Sequence, residues 1–165
     1  MITLIERASS FKDRVAIKSD GKNYTYNQLL AQSEHVSAHL LQDKKDLNLA
    51  RIAFLVPASF SYAAVQWGIW RAGGIAVPLC EKHPLPSIQY VLEDTEATTV
   101  IYTEAFEQLL SPLFKSTNIR FLKYAAITPK ICELPKITID RSALILYTSG
   151  TTGFPKGVVT THANI

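Results

Sequence analysis

The sequence has few cysteines, little excess charge and no long apolar run. Its two cysteines, Cys80 and Cys132, match no metal-binding or redox spacing, so we expect free thiols that act as small core hydrophobes. Lysine and arginine exceed aspartate and glutamate by only 17 − 14 = 3, and the charges are scattered. This argues against binding to nucleic acid or to a membrane surface. No stretch has the apolar length of a membrane span or a signal peptide, and we expect a soluble, cytoplasmic protein.

The chain has the size of a single domain. Its 165 residues, of which 47% are hydrophobic, can bury about two thirds of the surface that the unfolded chain exposes. The sequence has no internal repeat and no low-complexity tract. We therefore expect one α/β domain over residues 1–165.

Short apolar runs alternate with helical segments along most of the chain. Helices are predicted from about Ser59 to Ala72, over 87–93, and from about Glu104 until Pro112 ends or kinks the helix. Between them lie continuous apolar strands, which indicates a mostly parallel sheet with helices on both faces, a doubly wound α/β fold. The predicted strands are "RIAFLV" (51–56), "IAVPL" (75–79), "TTVIY" (98–102), "RFLKY" (120–124) and "ALILYT" (143–148).

Local signals mark several turns and helix ends. Asp20-Gly21 predicts a β-hairpin, and Thr25 followed by Gln28 predicts a capping box that opens a helix. Gly73 is expected to end the helix that begins near Ser59. The segment from Ala125 to Arg141 is predicted to be a long connection, and "THANI" (161–165) has the pattern of a helix start with Thr161 as its cap.

The segment "TSGTTGFPKG" (148–157) joins the last apolar strand to a second β-branched run. Its glycines allow close approach of the backbone to a ligand, its hydroxyls can donate hydrogen bonds, and Lys156 adds a positive charge. These groups suit a polyphosphate. The match to the G-x-x-x-x-G-K-[ST] phosphate loop is broken by Pro155 and Gly157, and "GVVTT" is not a helix. We therefore predict a different kind of phosphate loop that joins two strands; the alternative is a flexible surface hairpin.

Three motifs in order resemble those of the adenylate-forming superfamily, which comprises acyl-CoA synthetases, peptide-synthetase adenylation domains and luciferases. "YTSGTTGFPKGV" (147–158) resembles its phosphate-loop signature, "YTYNQLL" (24–30) its early helix-opening motif, and "RAGGIAVPLCEKHP" (71–84) its second core motif. Within the superfamily, "VQWGIWRAGGIAVPLCEKHP" and the final "TTHANI" look most like malonyl-CoA synthetases.

The resemblance implies an ATP-dependent acid–CoA ligase of fatty acid metabolism, with malonate as the expected acid. Such an enzyme uses Mg·ATP to form an acyl-adenylate and pyrophosphate, and coenzyme A then displaces AMP. By position in the motif, the residues expected to bind the β- and γ-phosphates are Thr148, Ser149, Gly150, Thr151, Thr152, Gly153 and Lys156. Thr151 or Thr152 would also lie near Mg²⁺.

The same resemblance implies that the 165 residues are the N-terminal subdomain of an adenylate-forming enzyme, cut after the phosphate loop. The family's metal-binding glutamate, ribose-binding aspartate and C-terminal lysine would lie farther along. We therefore expect no catalytic residue here, no adenylation by this chain alone, and self-association through an uncovered apolar face. Two alternatives remain: a non-catalytic nucleotide-binding or interaction module, and a synthetase for an aryl or fatty acid.

Other candidate residues carry weaker signals. His35 and His39 are four residues apart and could share a metal, but no third ligand is evident, which favours a solvated helix face. Trp67 and Trp70 are predicted to pack in the core. His162 is either a neighbour of the active site in a full-length enzyme or a surface histidine at a helix N-terminus.

Overall fold

The computed structural model describes residues 2–148 and 155–165, which form a six-stranded sheet flanked by helices and a separate two-stranded sheet. The α-helices are α1 (Thr3–Ser9), α2 (Tyr26–Leu41), α3 (Phe60–Arg71), α4 (Leu85–Asp94) and α5 (Glu107–Leu110). The strands are β1 (Val15–Ser19), β2 (Lys22–Thr25), β3 (Arg51–Leu55), β4 (Ile75–Pro78), β5 (Thr99–Tyr102), β6 (Arg120–Lys123), β7 (Ser142–Thr148) and β8 (Lys156–Thr161).

The large sheet confirms the predicted doubly wound architecture. Its strand order is β6-β5-β3-β4-β7-β8, and every neighbouring pair is parallel except β7 and β8. Helices α2 and α3 cover one face, where they pack on Ile52 and Phe54 of β3. Helices α4 and α5 cover the other face, where they pack on Ala53 and Leu55. Strand β3 is therefore buried on both faces, which explains its continuous apolar sequence.

The local turn and capping signals form as predicted. Thr25 and Gln28 make a capping box, in which the Gln28 amide donates to Thr25 Oγ1 at 3.2 Å and the Thr25 amide donates to Gln28 Oε1 at 2.8 Å. Asp20 and Gly21 have positive φ in the β1–β2 turn, and Gly73 has φ +83° just after α3. Glycine adopts this backbone conformation without steric cost.

The predicted helix after β5 is broken into short pieces. Helix α5 lies between 3₁₀ turns at Glu104–Phe106 and Ser111–Leu113, and the second turn contains Pro112. The predicted helix start at 161–165 is instead a 3₁₀ turn at His162–Asn164. There the Thr161 hydroxyl donates to Asn164 Oδ1 at 2.6 Å rather than capping a backbone amide.

The predictions for the cysteines and for the α2 histidines need correction. Both cysteines are free thiols, but Cys80 is exposed and only Cys132 is partly buried against the core. His35 and His39 do not form a solvated face, because both bind the backbone of the connection from 125 to 141. His35 Nδ1 lies 3.0 Å from the Lys130 carbonyl oxygen, and His39 Nε2 lies 3.2 Å from the Thr128 carbonyl oxygen. These histidines therefore hold the connection against α2.

Two features are absent from the described residues. No group of three or more potential metal-ligating side chains occurs within residues 2–148 and 155–165. Within the same ranges, no helix is long and apolar enough to cross a membrane.

Side-chain contacts fix the start of β7 against earlier parts of the chain. Arg141 binds both carboxylate oxygens of Asp46, at 2.7 and 3.0 Å, and donates to the Gly73 carbonyl at 2.8 Å. The hydrogen bond from Arg141 keeps the pKa of Asp46 below its usual range. Trp70 is buried, as predicted, and its indole N–H donates to the Ala143 carbonyl at 2.7 Å. Trp67 packs partly buried against the same core.

Helices α2 and α3 approach closely at Gly68. A Cβ at this position would lie 2.5 Å from Val36 Cβ and 2.8 Å from the Ser33 carbonyl oxygen. The Ser37 hydroxyl donates to the Gly68 carbonyl at 2.8 Å across the same contact. Gly68 is therefore required for the spacing of the two helices rather than for any special backbone conformation.

We predict that Gly68→Ala destabilises the chain although alanine is the better helix former. Forcing a methyl group this close to a side chain and a backbone oxygen should cost about 2–3 kcal/mol, the upper part of the range for overpacking, which exceeds the roughly 1 kcal/mol gained in helix propensity. Urea denaturation followed by circular dichroism would measure the change in free energy of unfolding. Gln66→Ala in the same helix is the matched control and should change it little; equal stability of Gly68→Ala and wild type would contradict the close contact.

Candidate functional site

The predicted phosphate loop connects two antiparallel strands, as the sequence indicated. We call residues 148–156 the candidate phosphate loop. Thr148 and Lys156 are register partners at its base, and both side chains are exposed. The other predicted phosphate-binding residues, Ser149, Gly150, Thr151, Thr152 and Gly153, lie outside the described residues, as does the proposed Mg²⁺ contact of Thr151 or Thr152.

The loop base lies at the edge of the sheet where ligands bind in doubly wound folds. Strand β7 is parallel to β4, so Thr148 lies toward the carboxyl ends of the parallel strands. The chain leaves β3 for α3 on one face and leaves β4 for α4 on the other face. Such a divergence opens a crevice between two neighbouring strands.

A cavity of about 220 Å³ occupies this crevice. Its walls come from α3, the segment after β4, α4 and the end of β7, and they combine apolar side chains with a few polar groups. The lining residues are Tyr62, Pro78, Leu79, Cys80, His83, Ile88, Val91, Leu146 and Tyr147. A concave, mostly apolar site with a small number of polar groups is typical of small-molecule binding.

The described part of the loop presents a positive charge that is available to an anion. Lys156 is exposed, and none of the ion pairs among residues 2–148 and 155–165 includes it. Thr148 faces it across the ladder and offers a hydroxyl. An ammonium and a hydroxyl at the mouth of a crevice fit the phosphate groups of a nucleotide.

Two tyrosines and an aspartate at the loop base were not found by sequence reasoning. The Tyr147 hydroxyl donates to Asp94 Oδ2 at the end of α4, and the Tyr90 hydroxyl donates to the Pro155 carbonyl at 3.3 Å. Burial, followed by the hydrogen bond to Asp94, raises the pKa of Tyr147, so its hydroxyl stays protonated as a donor. The available signal was the i,i+4 spacing of Tyr90 and Asp94, which places both on one face of a helix.

His162 lies at the other end of the hairpin from the candidate phosphate loop. It follows β8, whose last residue, Thr161, pairs with Ser142 at the start of β7. The imidazole is half-buried and meets the Trp70 ring edge-on, with the ring centroids 5.7 Å apart. Burial and the charge of Arg141 lower the pKa of His162. In this chain His162 is a packing residue and not part of the candidate site.

Comparisons with known proteins agree with the fold and the motif. The sequence profile of the AMP-binding enzyme family matches residues 4–165. Malonate–CoA ligase ACSF3, mitochondrial, from Xenopus laevis is 35% identical over 179 residues and covers 100% of this chain. Malonate–CoA ligase from Arabidopsis thaliana is 32% identical over 185 residues and covers 96% of this chain.

A solved structure is similar over nearly the whole chain. The Klebsiella oxytoca NpsA N-terminal subdomain in complex with 3-hydroxybenzoyl-AMSN has a TM-score of 0.80 and 25% identity, covering 98% of this chain and 41% of that one. The chain spans 31% of the Xenopus relative and 30% of the Arabidopsis relative. The fold, the position of the loop and the family match lead to one conclusion: the chain belongs to the AMP-binding enzyme family.

Proposed function

We propose that this chain is the phosphate-binding N-terminal part of an ATP-dependent acid–CoA ligase, with malonate as its acid. The observation that carries the proposal is the facing pair of Thr148 and Lys156 at the carboxyl edge of a parallel sheet, beside an apolar cavity. Support for malonate comes from the two malonate–CoA ligases that are 32–35% identical to the chain.

The proposed role of the loop is electrostatic. Lys156 would neutralise negative charge on the β- and γ-phosphates, and Thr148, Ser149, Gly150, Thr151, Thr152 and Gly153 would surround them with hydroxyl and amide donors. Cleavage of ATP at the α-phosphate leaves pyrophosphate, on which negative charge builds. A positively charged loop at that place stabilises the leaving group without forming a covalent bond.

The proposal divides the reaction between this chain and the remainder of a longer protein. Thr151 or Thr152 would contribute to holding Mg²⁺, while coenzyme A, the ribose and most of the acid would be bound by other parts. Removal of single positioning or charge-stabilising groups often costs about 2–4 kcal/mol of transition-state stabilisation, so the loss of several should abolish turnover.

The first test is whether the loop binds phosphate groups. We expect Lys156→Ala to weaken binding of Mg·ATP or Mg·pyrophosphate to the chain about tenfold or more, because it removes a charge-assisted contact. Titration calorimetry would measure the dissociation constants. Lys18→Ala, an exposed lysine in β1, is the matched control and should leave them unchanged. Equal binding by Lys156→Ala and wild type would contradict the proposal.

The second test concerns the division of the reaction. We expect exchange of labelled pyrophosphate into ATP by the 165-residue chain, with malonate, to remain at background. A longer protein that contains this sequence and has the full length of the relatives should show malonate-dependent exchange. Exchange by the short chain alone would show that its residues suffice for adenylation and would refute the division proposed here.

The exposed edge strand β8 favours a second candidate function, that of an association module. Strand β8 is at the edge of the sheet, and Leu146, Val158 and Val159 are 44%, 51% and 57% exposed. An edge strand with exposed β-branched residues is a template for pairing with another strand. We propose a second copy of the chain as the partner, because identical edges of this kind can pair antiparallel about a two-fold axis.

We expect the chain to form dimers at micromolar to millimolar concentration. Light scattering coupled to size-exclusion chromatography should report a mass that rises with concentration. The double variant Val158→Thr/Val159→Thr keeps strand propensity but removes apolar contact area, and it should shift the mass toward the monomer. Leu4→Ser, at another exposed apolar position, is the control. A wild-type mass that stays monomeric throughout would exclude the module.

A further inference from the structure

One face of helix α4 contacts both strands of the hairpin that carries the candidate phosphate loop. Asp94 accepts a hydrogen bond from the Tyr147 hydroxyl, near the end of β7. Tyr90, one turn earlier in α4, donates to the Pro155 carbonyl, directly before β8. The rings of Tyr90 and Tyr147 also meet edge-on, with their centroids 6.3 Å apart. The loop is therefore attached to α4 at its entry and at its exit.

Strand β8 leaves space for the Tyr147 ring because it has a glycine opposite that residue. Gly157 is the register partner of Tyr147. A Cβ at Gly157 would lie 2.9 Å from Ile145 Cγ2 and 3.2 Å from Tyr147 Cζ. Glycine at this position lets the tyrosine ring lie against the returning strand and reach Asp94. Its place next to Lys156 thus has a packing reason separate from any contact with phosphate.

The position of Asp94 is unfavourable for a carboxylate unless it has a partner. It is the last residue of α4, where the negative end of the helix dipole disfavours negative charge. The hydrogen bond from Tyr147 offsets that cost. Helix α4 is itself held to the sheet by Ile88, Val91 and Leu92, which are 1–5% exposed. A contact with α4 therefore connects the loop base to a rigid part of the molecule.

We propose that Tyr90, Asp94 and Tyr147 are positioning residues that fix the base of the candidate phosphate loop and keep Lys156 opposite Thr148. This inference rests on the proposed function, since it assigns a purpose to these contacts in binding the phosphates of a nucleotide. Tyr90 and Asp94 are not among the residues that line the cavity, and Tyr147, which does line it, is assigned its role through the hydrogen bond to Asp94. They act through the backbone of Pro155 and through strand β7.

The test uses Tyr90→Phe, which removes the hydroxyl and keeps the ring. Loss of one hydrogen bond should raise the dissociation constant for Mg·pyrophosphate about three- to tenfold. Hydrogen exchange at the amides of residues 156–158 should become several-fold faster. Tyr26→Phe, the same change in the first turn of α2, is the matched control and should alter neither quantity.

A second set of variants separates positioning from general stability. Asp94→Asn retains an oxygen that accepts from Tyr147, whereas Asp94→Ala does not. We expect Asp94→Asn to keep most of the pyrophosphate affinity and Asp94→Ala to lose as much as Tyr147→Phe. If the two Asp94 variants and Tyr90→Phe all bind and exchange like wild type, the positioning role is overturned while the phosphate site stands.

Failure of the proposed function gives a different result. In that case wild type and Lys156→Ala bind pyrophosphate equally weakly. Hydrogen exchange at residues 156–158 then still decides the structural part of the inference, because it requires no ligand. Faster exchange in Tyr90→Phe would support fixation of the hairpin by α4, and unchanged exchange would refute it.

Discussion

The candidate site depends on how the β7–β8 hairpin is joined to the parallel sheet. Among the described residues, β4 and β7 share one register pair, Ala76 and Leu144, whereas β3 shares four with β4. The ladder between β4 and β7 is thus shorter than the ladder between β3 and β4. Side chains from earlier parts of the chain add further attachments to the hairpin.

These attachments are distributed along the length of β7. At its start, Arg141 binds Asp46 and the carbonyl of Gly73. One residue into the strand, the Trp70 indole binds the Ala143 carbonyl. Near its end, the Tyr147 hydroxyl binds Asp94. The first two come from the α2–α3 side and the third from α4, so both helix layers of the doubly wound fold hold the strand that leads into the loop.

Features with a local cause were predictable from the sequence, and features with a distant cause were not. The capping box at Thr25, the hairpin at Asp20-Gly21 and the helix end at Gly73 depend on residues within a few positions of one another. The bond from Tyr90 to Pro155 spans 65 residues, and that from His35 to Lys130 spans 95. Neither sequence periodicity nor residue spacing identifies these partners, because they are brought together only by the fold.

The candidate site also combines features with a local cause and features with a distant cause. Its motif residues, from Thr148 to Lys156, are contiguous in sequence. A loop between two strands is therefore predictable there, from the glycines of the motif and the β-branched residues that follow it. The crevice beside the loop is not predictable in this way, because it is made by α3, β4, α4 and β7 together. The exposure of Cys80 follows from the same geometry: it lies two residues after the end of β4, where the chain has left the buried sheet and runs toward α4.

The connection from 125 to 141 covers the two α2 histidines that the sequence pattern predicts to be solvated. It must carry the chain from β6 to β7 past three intervening strands, a distance of roughly 19 Å at the spacing of adjacent strands. It does so across α2 and therefore covers part of a helix face that the sequence pattern predicts to meet solvent. His35 and His39 are four residues apart, a rise of about 6.0 Å along the helix, and two residues of extended chain span about 6.6 Å. The two histidines can therefore each bind one of two alternate residues of the connection, Lys130 and Thr128. The two histidines thus hold residues 128–130 against α2, and Arg141 separately holds the end of the connection at the start of β7.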